Sequence, residues 1–310
     1  VICTTVPSVG DLHRKFQHLP ESCEVLLAVR ASSINPADRW PPGPFPQVMG
    51  SDISAVVAAV EPTCERLKVG DRVWADIGAV VTSAVGERGK ENGAYAPLAV
   101  ALESQLGLMP KNIAFDEAAA LPKVALTSYK ALVWYGGAPW QRTLASKQRD
   151  MGVNQSRAVS TNTTVLVLGG SGGCGSSGIQ LAKALGAATV ITTTSANNAD
   201  YVRTLGADKV IDYHISNWWE VIDDASVDVI YDTVGQKGTG DLAMPKLKSG
   251  GHYITIVGAL PGNPRKDVSV KMFINSDTNL DNLNLLEALR LDVEAEKLRM
   301  LKLKKYPLAQ

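Results

Sequence analysis

The chain of 310 residues has no excess of charge of either sign. Its 31 basic and 31 acidic side chains sum to a formal net charge of zero, so no global field draws it to a phosphate backbone or an anionic lipid surface. This excludes a dedicated nucleic-acid or membrane-surface protein and points to small-molecule chemistry inside a pocket. Long apolar runs are also missing: none approaches the roughly 20 residues that a spanning helix requires. No charged segment followed by an apolar stretch opens the chain. The expectation is a soluble protein with no membrane span, not secreted, of the cytoplasm or of a mitochondrial or plastid matrix. The chain starts at Val1, as a processed or incomplete form would. Cysteine is scarce: Cys3, Cys23, Cys64 and Cys174 are scattered with no CxxC pair, and a chain of this length does not need disulfide staples. Free, mostly buried thiols are expected.

What is present divides into two textures, and at roughly 150 residues per domain two domains are expected. From Val25 to about Pro122, short β-rich runs (VLLAV, ISAVVAAV, DRVWADI, AYAPLAV) alternate with Pro, Gly and charged turns, the pattern of a largely antiparallel, barrel-like domain. From Thr164 to Val257, apolar β-branched runs alternate with amphipathic helices, the pattern of a parallel sheet covered on both faces. Residues 135–162 are polar and lack periodicity, and read as a surface insertion. Leucines at helical spacing return after Asn279.

The strongest motif runs from the strand Val165–Leu168 through Gly169, Gly170, Ser171, Gly172, Gly173, Cys174 and Gly175 into a helix expected over 177–185. Gly170, Gly172 and Gly175 satisfy GxGxxG in its required strand–turn–helix context. The first glycine permits the turn, the second admits a pyrophosphate, and the third packs helix on strand, while the helix N-terminus favours the phosphate charge. About 20 residues on, an Asp or Glu would select NAD(H). Here Thr193, Thr194 and Ser195 stand instead; hydroxyls tolerate a 2′-phosphate, which favours NADP(H).

In order along the chain, ASSINPAD (31–38), MGSD (49–52), VGDRV (69–73), AAALP (118–122) with LTSYKAL (126–132), the glycine segment to Lys183, and LGAD (205–208) with VIDY (210–213) resemble the zinc-independent, zeta-crystallin-like quinone oxidoreductases of the medium-chain dehydrogenase/reductase superfamily. The resemblance implies an α/β fold made of a GroES-like β-barrel domain over 1–125, with 262–310 returning to it, and a Rossmann doubly wound parallel sheet over 126–261. It implies that Asn35 and Thr127 lie near a nicotinamide, that Ser195 and Tyr213 surround an adenosine 2′-phosphate, and that Val257 and Gly258 line the nicotinamide face. Zinc-dependent relatives place a histidine between Gly50 and Asp52, where this chain has Ser51, and the four-cysteine lobe is absent. His13, His18, His214 and His252 form no alternative ligand cluster, so no metal is expected.

Without a Lewis acid, alcohol oxidation lacks stabilisation for its alkoxide. The reaction left is hydride transfer from NADPH to a quinone or an α,β-unsaturated carbonyl, in which the protein mainly positions two flat molecules. No catalytic acid is assigned; Tyr129 is a remote candidate, better read as helix packing. Two rival readings stand beside this one: an enoyl-thioester (enoyl-CoA or ACP) reductase, and a non-catalytic accessory or structural subunit that retains the nucleotide. Asn198 stands where relatives carry a phosphate-binding lysine, with Arg203 as a substitute. The segment after Lys297 is about one helix and one strand shorter than in relatives. Assembly is open between a homodimer and membership of a larger complex.

Overall fold

The computed structural model describes residues 2–3, 23–39, 48–78, 93–137, 162–274, 282–300 and 302–307. They fall into two compact units, one made of 1–126 and 275–310, the other of 127–274. His13, His18, the Cys3 side chain and nearly all of the expected 135–162 insertion lie outside the described residues.

The first unit is built on β1 (Ile2–Cys3), β2 (Glu24–Ser32), β3 (Asp52–Val60), β4 (Arg72–Asp76), β5 (Leu98–Leu102) and β6 (Gly107–Leu108). Strand β2 reads as an almost unbroken apolar run because it is central, pairing antiparallel with both β3 and β5. Val25, Leu26, Leu27, Val29, Val73 and Trp74 are fully buried. Register shifts at Leu26/Leu27 and Val29/Ala31 mark bulges, which bend a strand and let a small sheet curl into a barrel-like form. Between β3 and β4, Gly70 adopts φ +95°, as the GD turn signal requires. Helix α1 (Phe115–Ala119) follows, then α2 (Pro122–Tyr129) and a π-helical turn over Lys130–Tyr135.

One expectation fails in this unit. Cys23 and Cys64 are joined in a disulfide, with their Cα atoms 5.0 Å apart, whereas both were expected as free thiols. Cys23 immediately precedes β2 and Cys64 lies in the turn after β3, so the pairing Val25↔Val60 carries the two together. Among the described residues Cys174 is the free cysteine.

The second unit holds β7 (Thr164–Leu168), β8 (Thr189–Thr194), β9 (Lys209–Asp212), β10 (Val227–Asp232), β11 (Leu247–Thr255) and β12 (Ser269–Met272). Their spatial order is β12-β11-β10-β7-β8-β9, and every pairing is parallel. This is the doubly wound 3-2-1-4-5-6 order, with its topological switch between β7 and β10. Helices α3 (Gly173–Ala184), α4 (Ala199–Thr204), α5 (Trp218–Val221) and α6 (Thr239–Lys246) connect the strands. A core of Leu166, Leu168, Ile191, Ile230, Leu247 and Tyr253 fills one part of the unit. The sheet extends past the expected limit at 261, because β12 adds to β11 from His252↔Ser269 to Thr255↔Met272. As a half-covered edge strand, SVKM has no continuous apolar run to betray it.

The chain returns to the first unit through α7 (Asn282–Glu294) and β13 (Tyr306–Pro307), which pairs parallel with β1. Leu285, Leu289 and Val293 recur every fourth residue and are buried, the spacing of one helix face. The Asn112 amide donates to the Val293 carbonyl at 3.0 Å. Among the described residues no helix is long and apolar enough to cross a membrane.

Candidate functional site

The glycine turn after β7 is held by hydrogen bonds with the end of β8. Gly169, at φ +82°, donates its N–H to Thr193 Oγ1 at 2.9 Å, and the Gly170 N–H donates to the Thr193 carbonyl at 3.0 Å. Thr194 Oγ1 donates to Ser171 Oγ at 2.9 Å, and Thr192 Oγ1 to the Val167 carbonyl at 2.7 Å. All three threonine side chains are buried. This corrects the reading of Thr193 and Thr194 as cofactor-facing hydroxyls: they brace the turn, and only Ser195 of that trio lies outside the strand.

The three motif glycines are packed in different ways. A Cβ on Gly170 would meet Thr192 Oγ1 inside van der Waals contact, and one on Gly175 would meet the Gly169 carbonyl, with Gly169 C at 2.7 Å and Gly170 Cα at 2.9 Å. A Cβ on Gly172 would meet only the Gly169 oxygen, at 3.4 Å. The first glycine therefore makes room for the Thr192 and Ile179 side chains and the third for the backbone of the turn, while the second leaves an open face. Helix α3 starts at Gly173 with Gly172 as its N-cap, four residues earlier than expected from the poor helix formers in GCGSSG. Ser171–Gly173, leading into its first turn, are solvent-exposed, and a helix N-terminus in that position suits a diphosphate.

Ser195 and Tyr213 stand one residue beyond the ends of β8 and β9, which are registered Thr194↔Asp212. The sequence reading missed Asp212, whose carboxylate accepts the N–H of Ala196 at 3.1 Å and of His214 at 2.9 Å, fixing this loop. A carboxylate contributed from the next strand carries no local motif, and only strand pairing reveals it. Asn198 Nδ2 donates to Ser195 Oγ at 3.3 Å. Arg203 pairs with Asp200 at 2.9 Å on the exposed face of α4, a weak pair that leaves the guanidinium free to be drawn away.

Thr127 and Tyr129 are buried on α2. Between them Ser128 Oγ donates to the Cys174 carbonyl at 2.8 Å and lies 3.4 Å from the Tyr231 hydroxyl. Burial, with Cys174 alongside, pushes the Tyr231 phenol well above its ordinary range. At the carboxyl end of β10, Asp232 accepts the N–H groups of Val234 and Gly235 at 2.9 and 3.0 Å and the Tyr253 hydroxyl at 3.0 Å. Burial and this carboxylate also push the Tyr253 phenol up. Val257 is 45% exposed and Gly258 takes φ +84°, beyond the end of β11.

In the first unit Asn35 belongs to a buried polar network. Its Nδ2 donates to Asp52 Oδ2 at 2.8 Å and to Ser33 Oγ at 3.2 Å, so both amide protons are engaged and Oδ1 is left as the acceptor. Ser33 Oγ and the Lys123 backbone N–H also donate to Asp52, at 2.6 and 2.7 Å. Burial raises the Asp52 carboxyl to about 7, with the Asp76 charge adding and Lys123 opposing. Burial works against the Lys123 charge, but Asp76, at 3.0 Å, and Asp52 outweigh it and hold the ammonium above its ordinary value. Ser51 Oγ donates to Asp38 Oδ1 at 2.7 Å, and the Tyr95 hydroxyl donates to Asp38 Oδ2 at 2.7 Å. These residues do not fit a catalytic zinc: Ser51 is a donor, both Asp52 oxygens are engaged, and the resident cation is Lys123.

Residues 21–125 match the alcohol dehydrogenase GroES-like domain, and residues 173–300 match the domain family described as zinc-binding dehydrogenase. The chain thus carries both domains of the alcohol dehydrogenase type and is similar to the quinone oxidoreductase-like medium-chain dehydrogenase/reductases. It is 33% identical over 246 residues to 2-methylene-furan-3-one reductase of Solanum lycopersicum, covering 76% of this chain and 55% of that protein. It is 34% identical over 246 residues to the chloroplastic NADPH-dependent alkenal/one oxidoreductase of Arabidopsis thaliana, covering 76% and 56%. The chain thus spans little more than half the length of these relatives. Among solved structures, a quinone oxidoreductase of Pseudomonas syringae pv. Tomato superposes with a TM-score of 0.72 at 25% identity, covering 94% of this chain and 86% of that one.

Proposed function

We propose that the protein is an NADPH-dependent reductase that delivers a hydride to a quinone or an α,β-unsaturated carbonyl without a metal. The observation that carries this reading is the open face of Gly172 at the N-terminus of α3, at the β7/β10 switch of a doubly wound sheet. Bound NADPH would supply the hydride. In this reading the turn from Gly170 to Gly175 holds the diphosphate, and Ser195 and Tyr213 flank the adenosine 2′-phosphate, with Arg203 recruited from its exposed pair. In the second unit Thr127, Val257 and Gly258 are offered to the nicotinamide, and in the first unit Asn35 Oδ1 is an acceptor of the kind its carboxamide takes. Asn35 is suited to accept because both of its own protons are engaged. The names of the two plant relatives support an enone acceptor, and the chloroplast in one of those names supports an organellar matrix.

Fluorescence titration of the purified chain with NADPH and NADH tests the cofactor. Saturable binding with NADPH at least tenfold tighter is expected, and no binding of either overturns the reading. Consumption of NADPH with small quinones and enones then separates it from its rivals. Faster turnover of crotonyl-CoA identifies an enoyl-thioester reductase, and tight binding without turnover identifies an accessory subunit. Light scattering on the same sample distinguishes a monomer from a homodimer.

A further inference from the structure

Cys23, Cys64 and Glu103 come from three separate strand ends, and their sulfur and carboxylate atoms lie within 4.8 Å of one another. The register explains this convergence. β2 starts beside the end of β3 through Val25↔Val60 and beside the end of β5 through Glu24↔Leu102. The Glu103 N–H donates to the Cys23 carbonyl at 3.0 Å, and the Cys64 N–H donates to the Glu61 carbonyl at 3.0 Å. Glu103 is also anchored through its side chain: Oε1 accepts the N–H groups of Arg66 and Leu67 at 2.9 and 2.6 Å, in the turn that carries Cys64. Oε2 receives only a long bond from Glu65 N, at 3.4 Å, so it retains accepting capacity toward the sulfurs. All three side chains are half-buried, reachable by an ion yet held by backbone.

Two thiolates and one carboxylate form the donor set that a borderline-soft divalent cation prefers. At zinc–sulfur lengths of about 2.3 Å, two tetrahedral thiolates stand about 3.8 Å apart. Opening the disulfide and rotating the two cysteine side chains is enough to span that separation. A disulfide sulfur carries no thiolate, so metal and disulfide exclude each other.

We propose that Cys23, Cys64 and Glu103 form a redox-gated zinc site, closed by the Cys23–Cys64 disulfide and opened by a dithiol reductant. The reductant gives two electrons and becomes a disulfide, Cys23 and Cys64 become thiols, and Zn2+ displaces their two protons to solvent and binds both sulfurs, Glu103 Oε2 and a water. The site is separate from the position of Ser51 and from the nucleotide turn, and it does not depend on the function proposed above.

The test uses the full chain, reduced with a phosphine that does not compete for metal, or left oxidised. Zn2+ is titrated against a chromogenic chelator, and Co2+ is followed by its thiolate charge-transfer absorption. One Zn2+ per reduced chain is expected, bound at least 100-fold more tightly than by the oxidised chain, with a thiolate–cobalt band in the reduced form only. Cys23→Ser and Cys64→Ser should each weaken binding at least 100-fold. Glu103→Gln, which keeps an acceptor for the turn amides, should weaken it tenfold or more, and Cys3→Ser should leave it unchanged. The cobalt spectrum of the unmutated chain keeps the test independent of any variant that misfolds. No binding by the reduced chain, equal binding by the oxidised chain, or unchanged binding in Cys64→Ser overturns the proposal.

Discussion

Gly172 and Gly175 stand three residues apart in one motif, yet the structure predicts opposite consequences for changing them. At Gly172 the backbone is already extended, at φ −77° and ψ 171°, in the N-cap position of α3, and a Cβ would find only one atom, at 3.4 Å. Aspartate is a preferred N-cap residue, better than glycine by a few tenths of a kcal/mol. Gly172→Asp should therefore leave the melting temperature unchanged or slightly raised. Its carboxylate would accept the first-turn amides and place a negative charge where the diphosphate must sit, so NADPH affinity should fall at least 100-fold, about 2.7 kcal/mol. Gly175→Ala does the reverse. Its methyl has backbone on every near side, with Gly169 C at 2.7 Å and Gly170 Cα at 2.9 Å, and backbone cannot rotate away as a side chain can. Overpacking of this kind costs about 1–3 kcal/mol, more than the roughly 1 kcal/mol that alanine gains in helix propensity. The melting temperature should drop by several degrees. Thermal melts and nucleotide titrations of both variants read the two effects separately. Wild-type NADPH affinity in Gly172→Asp, or an undiminished melting temperature in Gly175→Ala, would refute this division of roles.

Two further substitutions probe the buried carboxylates. Asp52 is raised from 3.8 to about 7, so between those values the folded state holds a proton that the unfolded chain has released. Stability should fall as pH rises through this window, at up to about 1.4 kcal/mol per unit and by about 4 kcal/mol in all. Asp52→Asn should flatten that slope in denaturant melts from pH 4 to 7.5, and an unchanged slope would reject Asp52 as its source. Asp232→Ala strands the Val234 and Gly235 N–H groups, while the Tyr253 hydroxyl keeps the Ala259 carbonyl as its acceptor at 2.7 Å. A loss of about 2 kcal/mol is expected, and a variant as stable as the parent in urea would show that water replaces the carboxylate.

Elements whose signal is local were legible in the sequence. TVLVL reads as a buried parallel strand because both its faces are covered, and the glycine spacing places the turn because side chains at Gly170 and Gly175 would clash there. Features that depend on partners across the sheet were not legible. Thr193 and Thr194 end a strand, and nothing along the chain says whether their hydroxyls meet a cofactor or the turn beside them; the bonds to Gly169 and Ser171 decide it. The Cys23–Cys64 pair spans 41 residues and exists only because of antiparallel register. Asp212 reaches the Ser195 loop from the next strand for the same kind of reason.

The network around Asn35 bears on the type of chemistry the first unit can support. Where zinc-dependent relatives offer a histidine, this chain offers Ser51, whose hydroxyl is committed to Asp38. Asp52, next in sequence, gathers protons from Ser33, Asn35 and the Lys123 backbone, and Lys123 neutralises Asp76. The buried charges are thus satisfied from within, as burial demands. What the network holds in place is an amide, with its donors bound and its acceptor left. An oriented amide can align a planar ring, but it cannot stabilise an alkoxide as a cation does. An acceptor that is already electron-poor needs alignment and no such stabilisation, and this ties the proposed quinone and enone substrates to the residues around Asn35.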